Sequence, residues 1–361
     1  MYFISRPQIE INDHNHPLKA HYKKHILEFK TPSGTSRGIL KTKEAWFIII
    51  EDITSVGIGE CGLLRGLSID DRPDFEQKLQ WVCANIGLGL RQLYDALTEF
   101  PSIQMGVETA FRSLASDDPF QIYPSEFSRG ETGIAINGLI WMGDKAFMRA
   151  QIANKLKNGF SCIKMKIGAI QFETELSLLK SIRQEFSASQ IEIRVDANGA
   201  FTPHMALEKL KYLSDLDLHS IEQPIAVNQW DQMALLCEKS PLDIALDEEL
   251  IGVFSTQKKE QLLKHINPQY IILKPSFIGG FRGSDSWIEI SQANDVGWWI
   301  TSALESNVGL NAISQYTFTK NSTLHQGLGT GGLYTNNISS PLQITKGALF
   351  YKPSKRWNFN L

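Results

Sequence analysis

The sequence predicts an α/β protein: a (β/α)8 TIM-type barrel preceded by an α+β capping domain. Three observations carry this reading. Five short, largely apolar runs lead into Lys166, Asp196, Glu222, Asp247 and Lys274, at intervals of 30, 26, 25 and 27 residues. That is about one strand-plus-helix unit, since roughly 250 residues make eight of them. The pattern also changes near Ser128-Arg129-Gly130, where strands followed by helices give way to strict alternation. Finally, 361 residues accommodate a barrel of about 200–250 residues plus a second domain.

The predicted capping domain covers residues 1–128. His21 to Phe29, Glu44 to Glu51 and Ser55 to Cys61 read as antiparallel strands. Thr31 to Gly38 and Cys61 to Ser68 are loops rich in glycine, serine or proline. Asp74 to Ile86, Leu90 to Phe100 and Pro101 to Leu114 have helical periodicity, the last with proline at its start.

The predicted barrel covers residues 129–334, and a tail of residues 335–361 returns to the capping domain. Its strands are Ile134 to Trp141, Cys162 to Gly168, Ile191 to Asp196, Leu218 to Glu222, Asp243 to Asp247, Tyr270 to Lys274, Gly297 to Ser302 and Thr323 to Leu328. Helices fill the gaps, for example Asp144 to Asn158, Gln171 to Phe186 and Pro203 to Leu213. Right-handed crossovers close such strands into a barrel. An open dinucleotide-binding sheet is the alternative. It needs a GxGxxG turn near its first strand, and Gly133 to Gly143 does not supply one.

Composition narrows the function. A net charge of −3 gives no footprint for nucleic acid or an anionic membrane. No apolar run approaches the roughly 20 residues of a membrane span, and Met1 to His16 lacks an apolar signal core. Cys61, Cys83, Cys162 and Cys237 show no CxxC spacing and fit reduced thiols. The expectation is a soluble cytoplasmic protein acting on a small molecule; a homo-oligomer is compatible with this.

Lys164 and Lys166 alternate with Ile163, Met165 and Ile167, so both lysines point to one face of an apolar strand. Two such charges repel and cost desolvation unless the face opens onto a site that uses them. A neighbouring cation would lower the pKa of Lys166 and free neutral amine to act as a base. A solvated edge strand is the equal alternative on this motif alone.

Asp196, Glu222 and Asp247 end three adjacent predicted strands, where such barrels build active sites. Three convergent carboxylates call for a cation. Oxygen ligands without histidine or cysteine nearby select Mg²⁺. Asn198 shares the side of Asp196 and would support it. Lys166 and Lys274 would face a substrate from opposite sides, one taking a proton while the other stabilises charge. Separate surface acids and helix caps are the alternative reading of the carboxylates.

The set Lys164-x-Lys166, Asp196-x-Asn198, Glu222, Asp247 and Lys274 resembles the muconate-lactonising-enzyme subgroup of the enolase superfamily. The resemblance extends over the whole chain, including Ile136 to Gly143, Arg194 to Phe201 and Ser220 to Ile225. It implies a small-molecule carboxylate substrate, Mg²⁺ with Mn²⁺ as a substitute, and Lys166 as the base removing the proton beside the carboxylate. Within the subgroup it points to loss of water from a cyclohexadiene carboxylate bearing a hydroxyl and a succinyl chain, giving an aromatic ring. Lys164 would then touch the metal-bound carboxylate, and Lys274 would face the ring. Arg194, Ser302, Glu305 and Gly329 are further candidates for supporting the ligands or binding substrate, with Ser306 and Asn307 beside them. Backbone N–H groups of Gly327 to Gly332 would meet the succinyl carboxylate, and loops 31–38 and 61–68 would close over the substrate.

Rivals within the subgroup are dipeptide epimerase, N-acylamino acid racemase and muconate cycloisomerase. Dipeptide epimerases typically carry an Asp-x-Asp pair near the eighth strand, and residues 323–335 here contain no acid. A racemase side activity stays open, because it needs the same two lysines. The rival of another class is a catalytically dead barrel acting as a binding protein, which would be expected to lack one of these charges.

Overall fold

The computed structural model describes residues 17–35 and 38–360. Met1 to His16, together with Ser36 and Arg37 of the expected first loop, lie outside the described residues. The N-terminal part opens with β1 (Lys19–Thr35), β2 (Gly38–Glu51) and β3 (Val56–Cys61), an antiparallel sheet in that order. Helices α1 (Phe75–Ala84), α2 (Gly89–Ala96) and α3 (Pro101–Leu114) follow. The expected loop 31–38 is therefore mostly strand. Pairing of Ser33 with Leu40 and Gly34 with Ile39 carries the hairpin almost to its tip.

Strand β2 is buried on both faces, and its alternation shows why. Trp46, Ile48 and Ile50 enter one apolar cluster with Phe75, Leu79, Ile103, Val107 and Phe111 of the helices. Ala45, Phe47 and Ile49 enter another with Trp141, Leu304, Val308 and Tyr334 of the barrel. A period of two thus glues one strand to two layers. Helix α3 presses on β3 only because glycine leaves room: a Cβ on Gly59 would lie 1.9 Å from Gly106 O.

The barrel half of the chain runs β4 (Ile134–Ala135), β5 (Gly138–Ile140), α4 (Lys145–Lys157), β6 (Cys162–Lys166), α5 (Phe172–Glu185), β7 (Glu192–Asp196) and α6 (Pro203–Ser214). It continues with β8 (Ser220–Glu222), α7 (Trp230–Lys239), β9 (Ile244–Leu246), α8 (Thr256–Ile266) and β10 (Tyr270–Leu273). Then come α9 (Pro275–Ile278), α10 (Gly280–Ala293), β11 (Gly297–Ile300) and α11 (Asn307–Phe318). Strands β5 to β11 form one parallel sheet in sequence order, the curled sheet of a TIM-type barrel with helices outside.

Two predicted strands come out differently. The first is broken. Ile134–Ala135 pairs instead with a C-terminal hairpin, β12 (Leu342–Thr345) and β13 (Ala348–Tyr351), and only Gly138–Ile140 joins the barrel. The eighth, expected over Thr323 to Leu328, shrinks to two bridges, Ile136 with Gln326 and Thr301 with Gly327. The physical reason is a side chain: Gln326 Oε1 accepts the Ile300 N–H at 2.8 Å, so a ladder bond is replaced. Beyond β13, Trp357 stacks on Phe120 at 4.2 Å and Phe359 meets Phe47 edge-on at 5.3 Å.

Candidate active site

Parallel register brings the charged strand ends together. Lys166 pairs with Asp196, and Asp196 with Glu222. Asp247 and Lys274 directly follow β9 and β10. Lys166, Asp196, Glu222 and Asp247 are buried, Asp196 completely, and Lys274 is partly buried. Side chains at strand positions i and i+2 share a face, so Lys164 lies one layer below Lys166.

The amines sit among the acids. Lys164 Nζ lies 3.0 Å from Asp196 Oδ2 and contacts Glu222 Oε2. Lys166 Nζ donates to Asp196 Oδ2 at 3.0 Å and Asn198 Oδ1 at 2.7 Å. Lys274 Nζ donates to Asp247 Oδ2. Three carboxylates thus face three lysine side chains.

The charges tune one another. Burial opposes the charge on Lys164, but Asp196, Glu222 and Asp247 outweigh it and hold the ammonium above its ordinary range. Burial likewise opposes the charge on Lys274 and is outweighed by Asp247, Glu222 and Glu248. Asp196 is buried too, yet Lys164 and Lys166 pull it below the ordinary carboxylate range. Glu222 goes the other way: burial and the Asp196 charge push it well up. Its Oε1 is buried and receives no hydrogen bond.

That orphaned oxygen, in an all-oxygen donor set, fits a hard divalent cation such as Mg²⁺. Asp196, Glu222 and Asp247 are the residues able to hold it. They are not drawn to a common point here, because amines stand between them. Among the described residues, the set of three metal-ligating side chains with donor atoms all within 4.8 Å of one another lies elsewhere, at Cys162, Glu192 and His325.

A frame of amides fixes the acids. The Asn198 N–H donates to Asp196 Oδ1 at 3.0 Å, and Asn198 Nδ2 donates to Glu248 Oε1 at 2.9 Å. Gln223 joins this frame as well. Its Oε1 accepts the Asp247 and Glu249 N–H groups at 3.2 and 3.3 Å, and its Nε2 donates to Glu249 Oε2 at 3.1 Å. It adopts φ +40°, a left-handed conformation that is unfavourable for a non-glycine residue. The signal available in the sequence was a glutamine between a strand-end acid and Pro224, facing Asp247-Glu248-Glu249.

Above this layer lies a cavity of about 330 Å³ lined by Lys164, Lys166, Asn198 and Lys274 below and by Leu139, Trp141, Phe277 and Leu304 at its sides. Gly38, Ile39 and Leu40 at the β1–β2 hairpin and Leu64 to Leu67 of the expected second loop border it. Ser302 and Gly329 line it as well, and Ser302 Oγ shares a 2.6 Å hydrogen bond with Thr330 Oγ1. The N–H of Gly327 is committed to Ile300 O at 2.8 Å, so it does not meet a ligand as expected.

Four expected residues stand apart from the cavity. Arg194 points to the barrel floor, where it bonds Glu192 and His325 O and lies 4.1 Å over Trp299. Glu305 is fully buried and accepts from Ser276 Oγ at 2.5 Å. Ser306 and Asn307 cap α11: Ser306 binds Glu60, and the Asn307 N–H bonds Asn337 Oδ1 at 2.9 Å. The sequence placed all of these near strand ends; Arg194 shares the face of Asp196 but lies one layer lower and turns to the floor, and the capping sheet packs against Glu305 and Ser306.

Comparison with known proteins agrees with this fold. The family described as "Enolase C-terminal domain-like" matches residues 148–352. An o-succinylbenzoate synthase of Desulfotalea psychrophila is 44% identical over 363 residues, covering 92% of this chain and 98% of that protein. The crystal structure of MenC from Desulfotalea psychrophila superposes with TM-score 0.82 at 41% identity, covering 92% of this chain and 99% of that one. A dipeptide epimerase from Enterococcus faecalis, complexed with Mg and the dipeptide L-Leu-L-Tyr, shares the fold with TM-score 0.79 at 19% identity, covering 93% and 97%.

Proposed function

The chain belongs to the enolase C-terminal domain-like family, and from that premise we propose that it acts as an o-succinylbenzoate synthase. It is a lyase that removes water from 2-succinyl-6-hydroxy-2,4-cyclohexadiene-1-carboxylate, a step of menaquinone biosynthesis. The observation that carries this is 44% identity to such a synthase across 92% of the chain.

The roles of individual residues are our reading of the geometry. Asp196, Glu222 and Asp247 would hold Mg²⁺, which when bound neutralises charge developing on the substrate carboxylate. Members of the superfamily generally bind this ion. Lys166, at the cavity floor, takes the proton from the carbon bearing the carboxylate. The C–O bond to the adjacent hydroxyl then breaks. The hydroxyl leaves as water with the proton returned by Lys166, and the ring becomes aromatic. Lys164 stays charged among its acids and faces the carboxylate. Lys274, held as an ammonium by Asp247, stabilises charge from the far side. Aromatisation drives the elimination, so one face and one base suffice.

The cavity of about 330 Å³ sits at the small end of the roughly 300–1,000 Å³ range of ligand pockets, in keeping with a compact substrate. The absence of any acid in residues 323–335 weighs against a dipeptide epimerase, which must neutralise an ammonium. We read the enzyme as cytoplasmic; its four free cysteines fit a reducing compartment. Among the described residues, no helix is long and apolar enough to cross a membrane.

Incubating the purified protein with the cyclohexadiene substrate and Mg²⁺, while following the ultraviolet absorbance of the aromatic product, tests the function. Turnover of that substrate no better than of N-acylamino acids would overturn it.

A further inference from the structure

At the opposite end of the barrel from the cavity, the first residues of β6 and β7 meet the residue before the eighth-strand bridges. Cys162, Glu192 and His325 each present one ligating atom there, and these atoms all lie within 4.8 Å of one another. Cys162 Sγ donates to Glu192 Oε1 at 3.3 Å, and His325 Nδ1 lies 3.6 Å from Glu192 Oε2. His325 Nε2 is hydrogen-bonded to Ser161 Oγ at 2.9 Å. In the tautomer whose Nε2–H donates to Ser161 Oγ, the Nδ1 lone pair faces the centre, as ligating histidines are usually oriented by a partner on the other nitrogen.

We propose that this cluster is a second metal site, specific for a borderline-soft transition ion of the Zn²⁺ type. One sulfur, one imidazole and one carboxylate suit Zn²⁺ and disfavour Mg²⁺, which prefers the all-oxygen set at the other end. Three protein ligands leave a fourth position. The side chains of Glu192 and His325 are 24% and 20% exposed, which gives that position and an entering ion a path from solvent. Binding displaces the thiol proton to solvent, and the thiolate replaces the Cys162–Glu192 hydrogen bond. Arg194 Nε keeps its 2.7 Å bond to Glu192 Oε1, so Oε2 is the ligating oxygen.

The placement gives the ion a structural task. The barrel seam is held by the isolated bridges of Gln326 and Gly327, and His325 adjoins them. A metal bonded to Cys162, Glu192 and His325 would tie this weak eighth segment to two regular strands across the barrel floor.

The test uses Co²⁺ as a spectroscopic stand-in, added to the full-length protein in excess Mg²⁺. One equivalent should produce a thiolate-to-cobalt charge-transfer band with the visible bands of a tetrahedral ion. Cys162→Ser and His325→Gln should each lose the charge-transfer band, while Cys83→Ser keeps it. His325 is partly exposed, so His325→Gln stays informative even where Cys162→Ser fails to fold. Zn²⁺ should raise the melting temperature of wild type but not of His325→Gln. Absence of the band in wild type, or its survival in His325→Gln, would overturn the proposal.

Discussion

Lys166 and Asp196 are register partners on adjacent parallel strands, and the amine lies 3.0 Å from Asp196 Oδ2. The proposed base and the proposed cation ligand are therefore neighbours by virtue of strand pairing. Asn198 Oδ1, at 2.7 Å, holds the amine from the other side.

Lys166→Ala should abolish proton transfer and lower kcat by about 10²–10⁴-fold, with folding judged intact by circular dichroism. Lys166→Arg should be similarly inactive, because a guanidinium stays protonated. Near-native turnover in either variant would show that another group is the base.

Lys274 is held charged by Asp247, Glu222 and Glu248 against the cost of burial, which suits a fixed cation. Lys274→Arg should keep more elimination activity than Lys274→Ala, while any racemisation of N-acylamino acids disappears in both. Racemisation that persists in Lys274→Arg while elimination is lost would favour an amino-acid racemase.

Removal of divalent ions with chelator should abolish activity, and Mg²⁺ should restore it, with Mn²⁺ as a substitute. Mg²⁺ should also raise the melting temperature by mass action, and Glu222→Gln should weaken both effects. Full turnover in excess chelator would rule out the cation.

Lys259 is buried, donates to Gly283 O at 3.2 Å and lies 5.1 Å over the Trp287 ring. Burial lowers its pKa to about 8. A lysine depressed on folding destabilises the native state fully below its folded pKa, and the penalty fades as pH rises from about 8 to the unfolded value near 10.4. Lys259→Met should therefore be more stable than wild type at pH 7, on the order of 1–2 kcal/mol, and lose that advantage above pH 10. Denaturant melts at both pH values would measure it; an advantage independent of pH would exclude titration as its origin.

Glu60 of β3 accepts the N–H groups of Ser306 and Gly309 at 2.8 Å each, so the capping sheet caps a barrel helix. Glu60→Ala leaves those buried donors unpaired and should cost roughly 2–4 kcal/mol in urea denaturation. A loss under about 0.5 kcal/mol, the range of an ordinary surface substitution, would show that water replaces the carboxylate.

Much of the site was legible because a parallel barrel converts sequence period into spatial convergence. Charges recurring once per strand-plus-helix unit end on one rim, and alternation puts Lys164 and Lys166 on one face. Glu305 and Arg194 were misjudged for a related reason. Proximity to a strand end does not fix direction: Arg194 stands level with Lys164, which lines the cavity, yet bonds Glu192 and His325 O at the floor, and Glu305 packs under Gly62 of the capping part.

By itself, then, the sequence determined the strand–helix alternation, the rim charges and the hard-ligand chemistry, since each depends on local period and residue type. Only the tertiary structure decided where the first strand breaks, how the eighth shrinks to Gln326 and Gly327, and that Cys162, Glu192 and His325 meet. Those outcomes depend on hydrogen bonds between segments far apart in the chain: Ile134–Ala135 to the tail hairpin, and Ile300 N–H to the Gln326 side chain. No local pattern encodes which distant partner offers a backbone group its bond.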